Sequence, residues 1–375
     1  MQIPMRRADK ASYFNSRLAV VLIGSLLVMP AAYSESKPRY DARGNLIIVD
    51  QYNNRVIEIE PITRTIVWEY QVSTTKSEMN WLVGPRDAER VKGRTLIVAG
   101  GLPAGVSTNY PDGYVDNRVF EVDRKGKIRW QYGQTGVTGA GVNELNDPVT
   151  AMVLPHHCVL IADRGNQRVI HIRRQGKGAR MVWQYGTTGI SGDGTNQLDA
   201  PSSAQRLGNG HYLIADTGNN RVIEVTRQNE LVWQYGDPAD ATILNGPTYA
   251  CKLPHGGNIL IADSGNNRIL VVDPNGSNLF TYVTSARPGS VADPRPTHAV
   301  QLKNGDFLIA DQFNQQVITV DGTGAVVSTY GTIGVAGSDD GYFNAPTDAK
   351  VVDDFTGLTS PKGGGGGGFK NPFPF

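Results

Sequence analysis

The chain has 375 residues, a formal net charge of +1 and two cysteines. Balanced charge gives no basic footprint of the kind that nucleic-acid-binding domains carry, so we predict no nucleic-acid partner. Two cysteines are also too few for a scaffold held together by disulfides.

The N-terminus has the pattern of a secretory signal peptide. A basic start with Arg6 and Arg7 is followed by the apolar run LAVVLIGSLLVM at 18–29 and by small residues up to Ser34. The run is shorter than the ~20 residues of a spanning helix. We therefore expect 1–34 to be cleaved, leaving no transmembrane span. The mature protein is expected in the periplasm, at the cell surface or outside the cell.

One phrase recurs along the rest of the chain: two short apolar runs flank a polar turn with Gly and Asn, as in LIADTGNNRVIEV at 213–225. This pattern is typical of a β-hairpin. The second run opens at Arg55, Arg118, Arg168, Arg221, Arg268 and Gln316. These steps of 47 to 63 residues match the length of a four-stranded propeller blade.

Two other phrases complete each repeat. A strand that begins with Pro precedes each hairpin, and a strand such as LVWQYG (231–236) follows it. The sequence therefore predicts an all-β, six-bladed propeller of four-stranded antiparallel blades over residues 35–355. The first repeat lacks its Pro strand, and a spare one, PTDAKVV, occurs at 346–352. We expect this C-terminal strand to complete blade one and close the ring. Residues 356–375, with six consecutive glycines, are expected to form a flexible tail.

Residues that recur in most repeats are interpreted as structural. The hairpin Asp, for example Asp216, is expected to bond across the turn to Arg221, with Gly218 in a left-handed backbone conformation. In the second repeat Ala99 replaces this Asp, and in the sixth Gln316 replaces the Arg. The recurring Trp is expected to pack between sheets. Cys158 and Cys251 fall in blades that are not neighbours, which predicts free, buried thiols.

The D-x-G-N-x-R hairpins at Asp163, Asp216 and Asp263, with glycine-rich loops such as GTTGISGDGTNQLDAP (186–201), resemble the NHL-repeat family of β-propellers. The resemblance implies a bacterial exported propeller of six blades. That family includes binding scaffolds and a few enzymes, notably zinc-dependent amidating lyases that use three histidines in the axial channel. The WQYG strands are similar, more distantly, to arylsulfotransferase-like propellers.

Function is expected where the repeat varies, because catalysis or binding happens once. The second residue after each Pro lines the predicted axial channel and reads Asp87, Thr150, Ser203, Tyr249, His298 and Asp348. Carboxylates and an imidazole are ligands for calcium or zinc, so Asp87, His298 and Asp348 are candidate metal ligands. Tyr249, His298 and Arg86 are candidate catalytic residues. The alternative is a polar, water-filled channel that needs no ligand. The other histidines, including His156, are interpreted as scattered surface or loop residues.

The second repeat also carries an insertion, GGLPAGVSTNYPDGYVDN, at 100–117. Tyr110, Asp112 and Tyr114 in this loop are candidate partner-binding residues, since exposed loops with tyrosines often mediate recognition. The alternative is a surface loop that the fold tolerates and that has no role in recognition.

Two functions remain open at this point. The leading hypothesis is a monomeric, non-catalytic scaffold that binds or assembles protein or glycan in the cell envelope or exterior. The alternative is a metal-assisted lyase or hydrolase at the channel mouth, where a bound cation would polarise a substrate oxygen.

Overall fold

The computed structural model describes residues 38–71, 82–176, 178–254 and 256–353. The predicted signal peptide at 1–34 and the predicted tail at 356–375 lie outside the described residues. Within the described part of the chain, no helix has the length and apolar character to cross a membrane.

The described residues form six antiparallel sheets of four strands each, as the repeats predict. Blade 1 contains β1 (Leu46–Asp50), β2 (Arg55–Ile59) and β3 (Ile66–Gln71). Blade 2 contains β4 (Pro85–Val91), β5 (Arg94–Leu102), β6 (Tyr114–Val122) and β7 (Ile128–Gly133). Blade 3 contains β8 (Pro148–Leu154), β9 (Cys158–Asp163), β10 (Arg168–Gln175) and β11 (Gly178–Tyr185). Blade 4 contains β12 (Pro201–Arg206), β13 (Tyr212–Asp216), β14 (Arg221–Val225) and β15 (Leu231–Gly236). Blade 5 contains β16 (Pro247–Lys252), β17 (Ile259–Asp263), β18 (Arg268–Val272) and β19 (Asn278–Val283). Blade 6 contains β20 (Pro296–Gln301), β21 (Phe307–Asp311), β22 (Gln316–Val320) and β23 (Val326–Tyr330), and β24 (Pro346–Val351) follows.

The ring closes as predicted. Strand β24 pairs antiparallel with β1, and Ala349 lies opposite Ile48. The sheet order in blade 1 is β24-β1-β2-β3, so the last strand of the described residues is the innermost strand of the first blade. Backbone bonds extend the pairing, with Val352 N–H donating to Asn45 O at 2.8 Å. This pairing covers the inner edge of β1, which would otherwise be open.

Blades pack through the middle strands, which are buried on both sides and therefore read as continuous apolar runs. The recurring Trp joins neighbouring blades, as expected from its position. The indole N–H of Trp183 donates to Arg227 O at 3.0 Å, across the boundary between blades 3 and 4. Trp68 and Trp233 make the equivalent bond to the following blade at 3.1 and 2.9 Å. Cys158 and Cys251 are buried and free, as predicted.

The hairpin turns are held by the buried Asp. Asp216 Oδ2 accepts from Arg221 Nε at 2.7 Å and from the Asn219 side chain at 2.8 Å. The expected role of the glycine is wrong, because the left-handed residue is Asn220 with φ of 51°. Gly218 is required for space: a Cβ there would lie 2.5 Å from Asp199 Cγ.

In the two irregular hairpins, a residue from another position supplies the missing carboxylate or guanidinium. In blade 2, where Ala99 replaces the Asp, the buried carboxylate of Asp116 pairs with Arg118. In blade 6, where Gln316 replaces the Arg, Arg287 bonds Asp311 Oδ2 at 3.0 Å and Gln316 Oε1 at 2.6 Å. Each turn therefore keeps its ion pair.

The two ends of the ring differ. The front face carries the starts of the innermost strands and short 3₁₀ turns. These turns are Arg164–Asn166, Thr217–Asn219, Ser264–Asn266 and Gln312–Asn314. The back face carries the turns between first and second strands, such as 207–211 between β12 and β13.

Candidate functional site

The ring position predicted from the sequence does converge on the axis, but its side chains are buried. Asp87, Tyr249, His298 and Asp348 are each 5% exposed or less. The Tyr249 and His298 rings lie 4.1 Å apart between centroids. His298 Nδ1 lies 3.1 Å from Asp348 Oδ1. These residues therefore pack against one another in place of an open, water-filled channel.

A lysine that the sequence reasoning missed lies between the two carboxylates. Lys350 Nζ donates to Asp87 Oδ1 at 2.5 Å and to Asp348 Oδ2 at 2.6 Å. Burial disfavours the ammonium, but Asp348 and Asp87 outweigh it and raise the pKa of Lys350. The chain thus places its own cation where we predicted a metal ion. Among the described residues, no group of three His, Cys, Asp or Glu side chains is arranged to hold a metal.

The same carboxylates tie neighbouring blades together. Asp348 Oδ2 accepts from Ala88 N–H at 3.0 Å, and Asp87 Oδ2 accepts from Ala151 N–H at 2.8 Å. Both bonds reach the innermost strand of the following blade. Lys350 offsets one of the two negative charges, and its ion pairs together with these backbone bonds link the innermost strands of blades 1, 2 and 3.

The free space at the axis is small. A cavity of about 10 Å³ is lined in part by Asp87, Glu89, Tyr249 and Lys350. This is about the space of one water molecule. Burial raises the pKa of Glu89 to about 8, even though its carboxylate accepts from Val153 N–H at 2.8 Å. Burial, and then Lys350, hold the pKa of His298 well below its usual range. We call Asp87, Glu89, Tyr249, His298, Asp348 and Lys350 the axial cluster.

Arg86 takes a separate position at the front face. Its Nη2 donates to Asp147 Oδ1 at 2.7 Å, and Asp147 also accepts from Arg164 Nε at 2.8 Å. Burial lowers the pKa of Arg86 to about 10. The side chain remains charged at neutral pH and bridges blades 2 and 3.

The insertion in the second repeat is a longer β-hairpin. Strands β5 and β6 extend to Leu102 and Tyr114, which lie opposite each other in the ladder. We call residues 102–114 the projecting hairpin. Its Tyr110 and Tyr114 rings lie 5.1 Å apart, and Asp112 is exposed. At its root the buried Asp116 accepts from Val83 N–H at 3.0 Å.

A second site, unpredicted from the sequence, opens on the back face between blades 3 and 4. It is a cavity of about 570 Å³, and its charged lining residues are Arg173, Arg180, Arg206 and Arg227. We call it the arginine pocket. Trp183 and Tyr212 stack in its wall with centroids 3.6 Å apart and planes 8° from parallel. His156, interpreted from the sequence as a scattered surface residue, belongs to this lining.

Comparisons with known proteins support the repeat propeller. Residues 24–199, just under half of the chain, match the family model described as outer membrane protein assembly factor BamB. The matched family is therefore not that of the NHL repeats. No curated protein matches the chain.

Solved structures resemble this chain at low identity. A protein of unknown function from Bacteroides caccae is 16% identical with a TM-score of 0.55, covering 82% of this chain and 98% of that one. Virginiamycin B lyase from Staphylococcus aureus is 14% identical with a TM-score of 0.48, covering 79% and 86%. A protein from Desulfotomaculum acetoxidans is 14% identical with a TM-score of 0.49, covering 81% and 99%. At such identities the likeness concerns the fold alone.

Proposed function

We propose that this protein is a non-catalytic scaffold that holds a protein partner on its front face in the cell envelope. The observation that carries the proposal is the projecting hairpin, the feature by which blade 2 departs most from the repeat. The hairpin combines exposed polar residues with a tyrosine pair, and tyrosine offers large contact area at low conformational cost.

The root of the projecting hairpin supports a binding role because it is rigidly held. Asp116 is fully buried, pairs with Arg118 and accepts from a backbone amide. A Cβ at Gly84 would lie 2.0 Å from Gly101 O, so the hairpin backbone passes close to the preceding loop. A tip mounted on a preorganised base loses little entropy on binding.

The axial cluster supports the non-catalytic assignment. Lys350 already occupies the space between the carboxylates that would hold a metal, and the cavity of about 10 Å³ beside them has no room for a substrate. Binding at the rim and loops is the use of the propeller that this arrangement favours.

An envelope location is proposed from two observations. The first 34 residues have the composition of a signal peptide. The matched family is described as an outer membrane protein assembly factor, and the matched region 24–199 includes the projecting hairpin. The D-x-G-N-x-R turns remain the basis for proposing a relationship to NHL-repeat scaffolds.

Site-specific photo-crosslinking in cells tests the proposal. A photoreactive phenylalanine analogue at Asp112 should give one discrete protein adduct, whereas the same analogue at Asn304, an exposed back-face position, should not. Tyr110→Ala should reduce that adduct at least tenfold, because truncating an aromatic anchor typically costs more than ~1.4 kcal/mol.

A shortened hairpin provides the matched control. Leu102 and Tyr114 are ladder partners, so an Asn-Gly turn can replace 103–113 and close the hairpin without disturbing its root. The shortened protein should melt like the parent and lose the adduct. Equal adducts at Asp112 and Asn304, or an adduct that is a glycan, would contradict a protein partner at this face.

A further inference from the structure

The third strands of the blades carry a recurring ion pair between blades. The third residue after the Arg that opens this strand is Glu in blades 1, 2 and 4. Each Glu contacts a cation of the following blade: Glu58 to Arg90 at 2.8 Å, Glu121 to Arg174 at 2.8 Å, and Glu224 to Lys252 at 2.9 Å. A half-buried cation at this boundary is thus normally matched by a carboxylate.

Blade 3 breaks this rule. His171 takes the place of the Glu. The facing strand of blade 4 nevertheless keeps a cation, since Arg206 lies five residues after the Pro, as Arg90 and Lys252 do in their own blades. Arg206 donates only weakly, to the carbonyls of Leu207 at 3.4 Å and His211 at 3.2 Å, and lies over the Tyr212 ring. The boundary between blades 3 and 4 therefore has the cation, Arg206, without the carboxylate that would pair with it.

The arginine pocket opens where the carboxylate is missing. Arg173, Arg180 and Arg227 join Arg206 around a cavity of about 570 Å³. Among the described residues, none of these four arginines has a carboxylate within salt-bridge distance. Arg206 is partly buried and the other three are exposed. Unpaired guanidinium groups that line one cavity offer a site for an anion.

His171 adds a donor or acceptor without adding charge. Its Nδ1 lies 3.0 Å from the Tyr212 hydroxyl, and its Nε2 is buried with no hydrogen-bond partner in the described structure. Burial first, then Arg206, Arg227 and Arg173, lower the pKa of His171 to about 4. The imidazole is therefore neutral at pH 7 and lines the pocket without adding charge.

We propose that the arginine pocket binds an organic phosphate, a site independent of the projecting hairpin on the other face. A single carboxylate satisfies the cation at the three equivalent boundaries, whereas four guanidinium groups suit a dianion with several acceptor oxygens. The apolar wall, with Met181, Trp183 and Leu207, contacts the rest of the ligand. The phosphate belongs either to a free small molecule or to a lipid headgroup.

Isothermal titration of the full chain with phenyl phosphate at pH 7 and low salt tests the proposal. Arg206→Gln should weaken binding at least tenfold, and Arg180→Gln with Arg227→Gln should do the same. The matched control removes equal charge from exposed arginines elsewhere, Arg39→Gln with Arg43→Gln, and should change the affinity less than twofold. No heat with the parent protein, or equal weakening by the control pair, would overturn the site.

His171→Glu is the decisive variant because it introduces the acid that is found at three of the other boundaries. It should abolish binding of phenyl phosphate while keeping or raising the melting temperature, which separates loss of the site from loss of the fold. A variant that binds as tightly as the parent would overturn the proposal.

Three further ligands define the chemistry. If phthalate binds as tightly as phenyl phosphate, the preference for phosphate is overturned. If inorganic phosphate binds as tightly as phenyl phosphate, the role of the apolar wall is overturned. Cosedimentation with phosphatidic acid vesicles that is lost in Arg206→Gln would support the lipid headgroup as the source. No cosedimentation, with phenyl phosphate still bound, would support a free small molecule.

Discussion

Glu89 shows how one buried carboxyl sets the pH response of the ring. It lines the axial cavity, is 2% exposed, and burial raises its pKa from 4.5 to about 8. Between these values the folded protein retains a proton that the unfolded chain has lost. Stability from this group is therefore present below pH 4.5 and is lost as the pH rises toward 8.

We predict that Glu89→Gln removes this pH dependence. The amide oxygen still accepts from Val153 N–H, and no buried charge develops at high pH. The variant should exceed the parent in free energy of unfolding by about 4 to 5 kcal/mol at pH 9 and differ by less than about 1 kcal/mol at pH 5, at ~1.4 kcal/mol per pKa unit. Urea unfolding at both pH values measures the difference.

Glu121→Gln is a control for which we predict a pH dependence of stability with the opposite sign. Although burial opposes the charge of Glu121, Arg174 and Arg94 hold the pKa of that carboxyl below its usual range. Its contribution is present above the unfolded pKa and lost in acid. This variant should be less stable than the parent at pH 7. A pH-independent effect of Glu89→Gln would contradict our account of the axial cluster.

At the scale of the element, the Asp turn behaves as a unit whose ion pair survives substitution of either partner. Blade 6 illustrates this, since Arg287 from the preceding loop reaches the fully buried Asp311 that Gln316 cannot neutralise. Burial raises the pKa of Asp311 to about 6, and Arg287 opposes that rise. A buried carboxylate without a cation is costly, which explains why the chain supplies one from another segment.

We predict that Arg287→Ala destabilises the protein by about 3 kcal/mol, because it leaves Asp311 buried without its cation. Adding Gln316→Arg should recover at least half of the loss, since that position pairs with Asp311 as Arg268 pairs with Asp263. Chemical denaturation of the single and double variants measures this. A double variant no more stable than Arg287→Ala would refute the compensation.

At the scale of the whole molecule, the C-terminal strand both closes the ring and completes the axial cluster. Strand β24 pairs with β1 and carries Asp348 and Lys350. Its removal would expose an edge strand and leave Asp87 without its ammonium partner. Closure of the ring and charge balance at the axis therefore depend on the same six residues.

A chain that ends at residue 345 should lose cooperative unfolding and aggregate, because an unpaired inner strand is a template for association. A chain that ends at 353 keeps β24 and its described contacts, and is expected to melt like the full protein. Thermal unfolding and light scattering compare the two. Cooperative melting of the shorter chain at an unchanged temperature would contradict this role for β24.

The sequence by itself determined the architecture, because the repeat is local and regular. Hairpins spaced by 47 to 63 residues predicted the blades, and a spare Pro strand at 346–352 predicted how the ring closes. The position two residues after each Pro also placed Asp87, His298 and Asp348 at the axis. These inferences need only the geometry of strands and turns, which neighbouring residues dictate.

The tertiary structure alone decided what those residues contact. Lys350 and Asp87 are 263 positions apart, and no local pattern signals that the ammonium fills the gap between carboxylates. Aligning the repeats would have revealed His171 where three of the other blades have Glu, but not the cavity beside it. Charge pairing and cavity shape arise between blades, so they depend on packing that a local repeat does not encode.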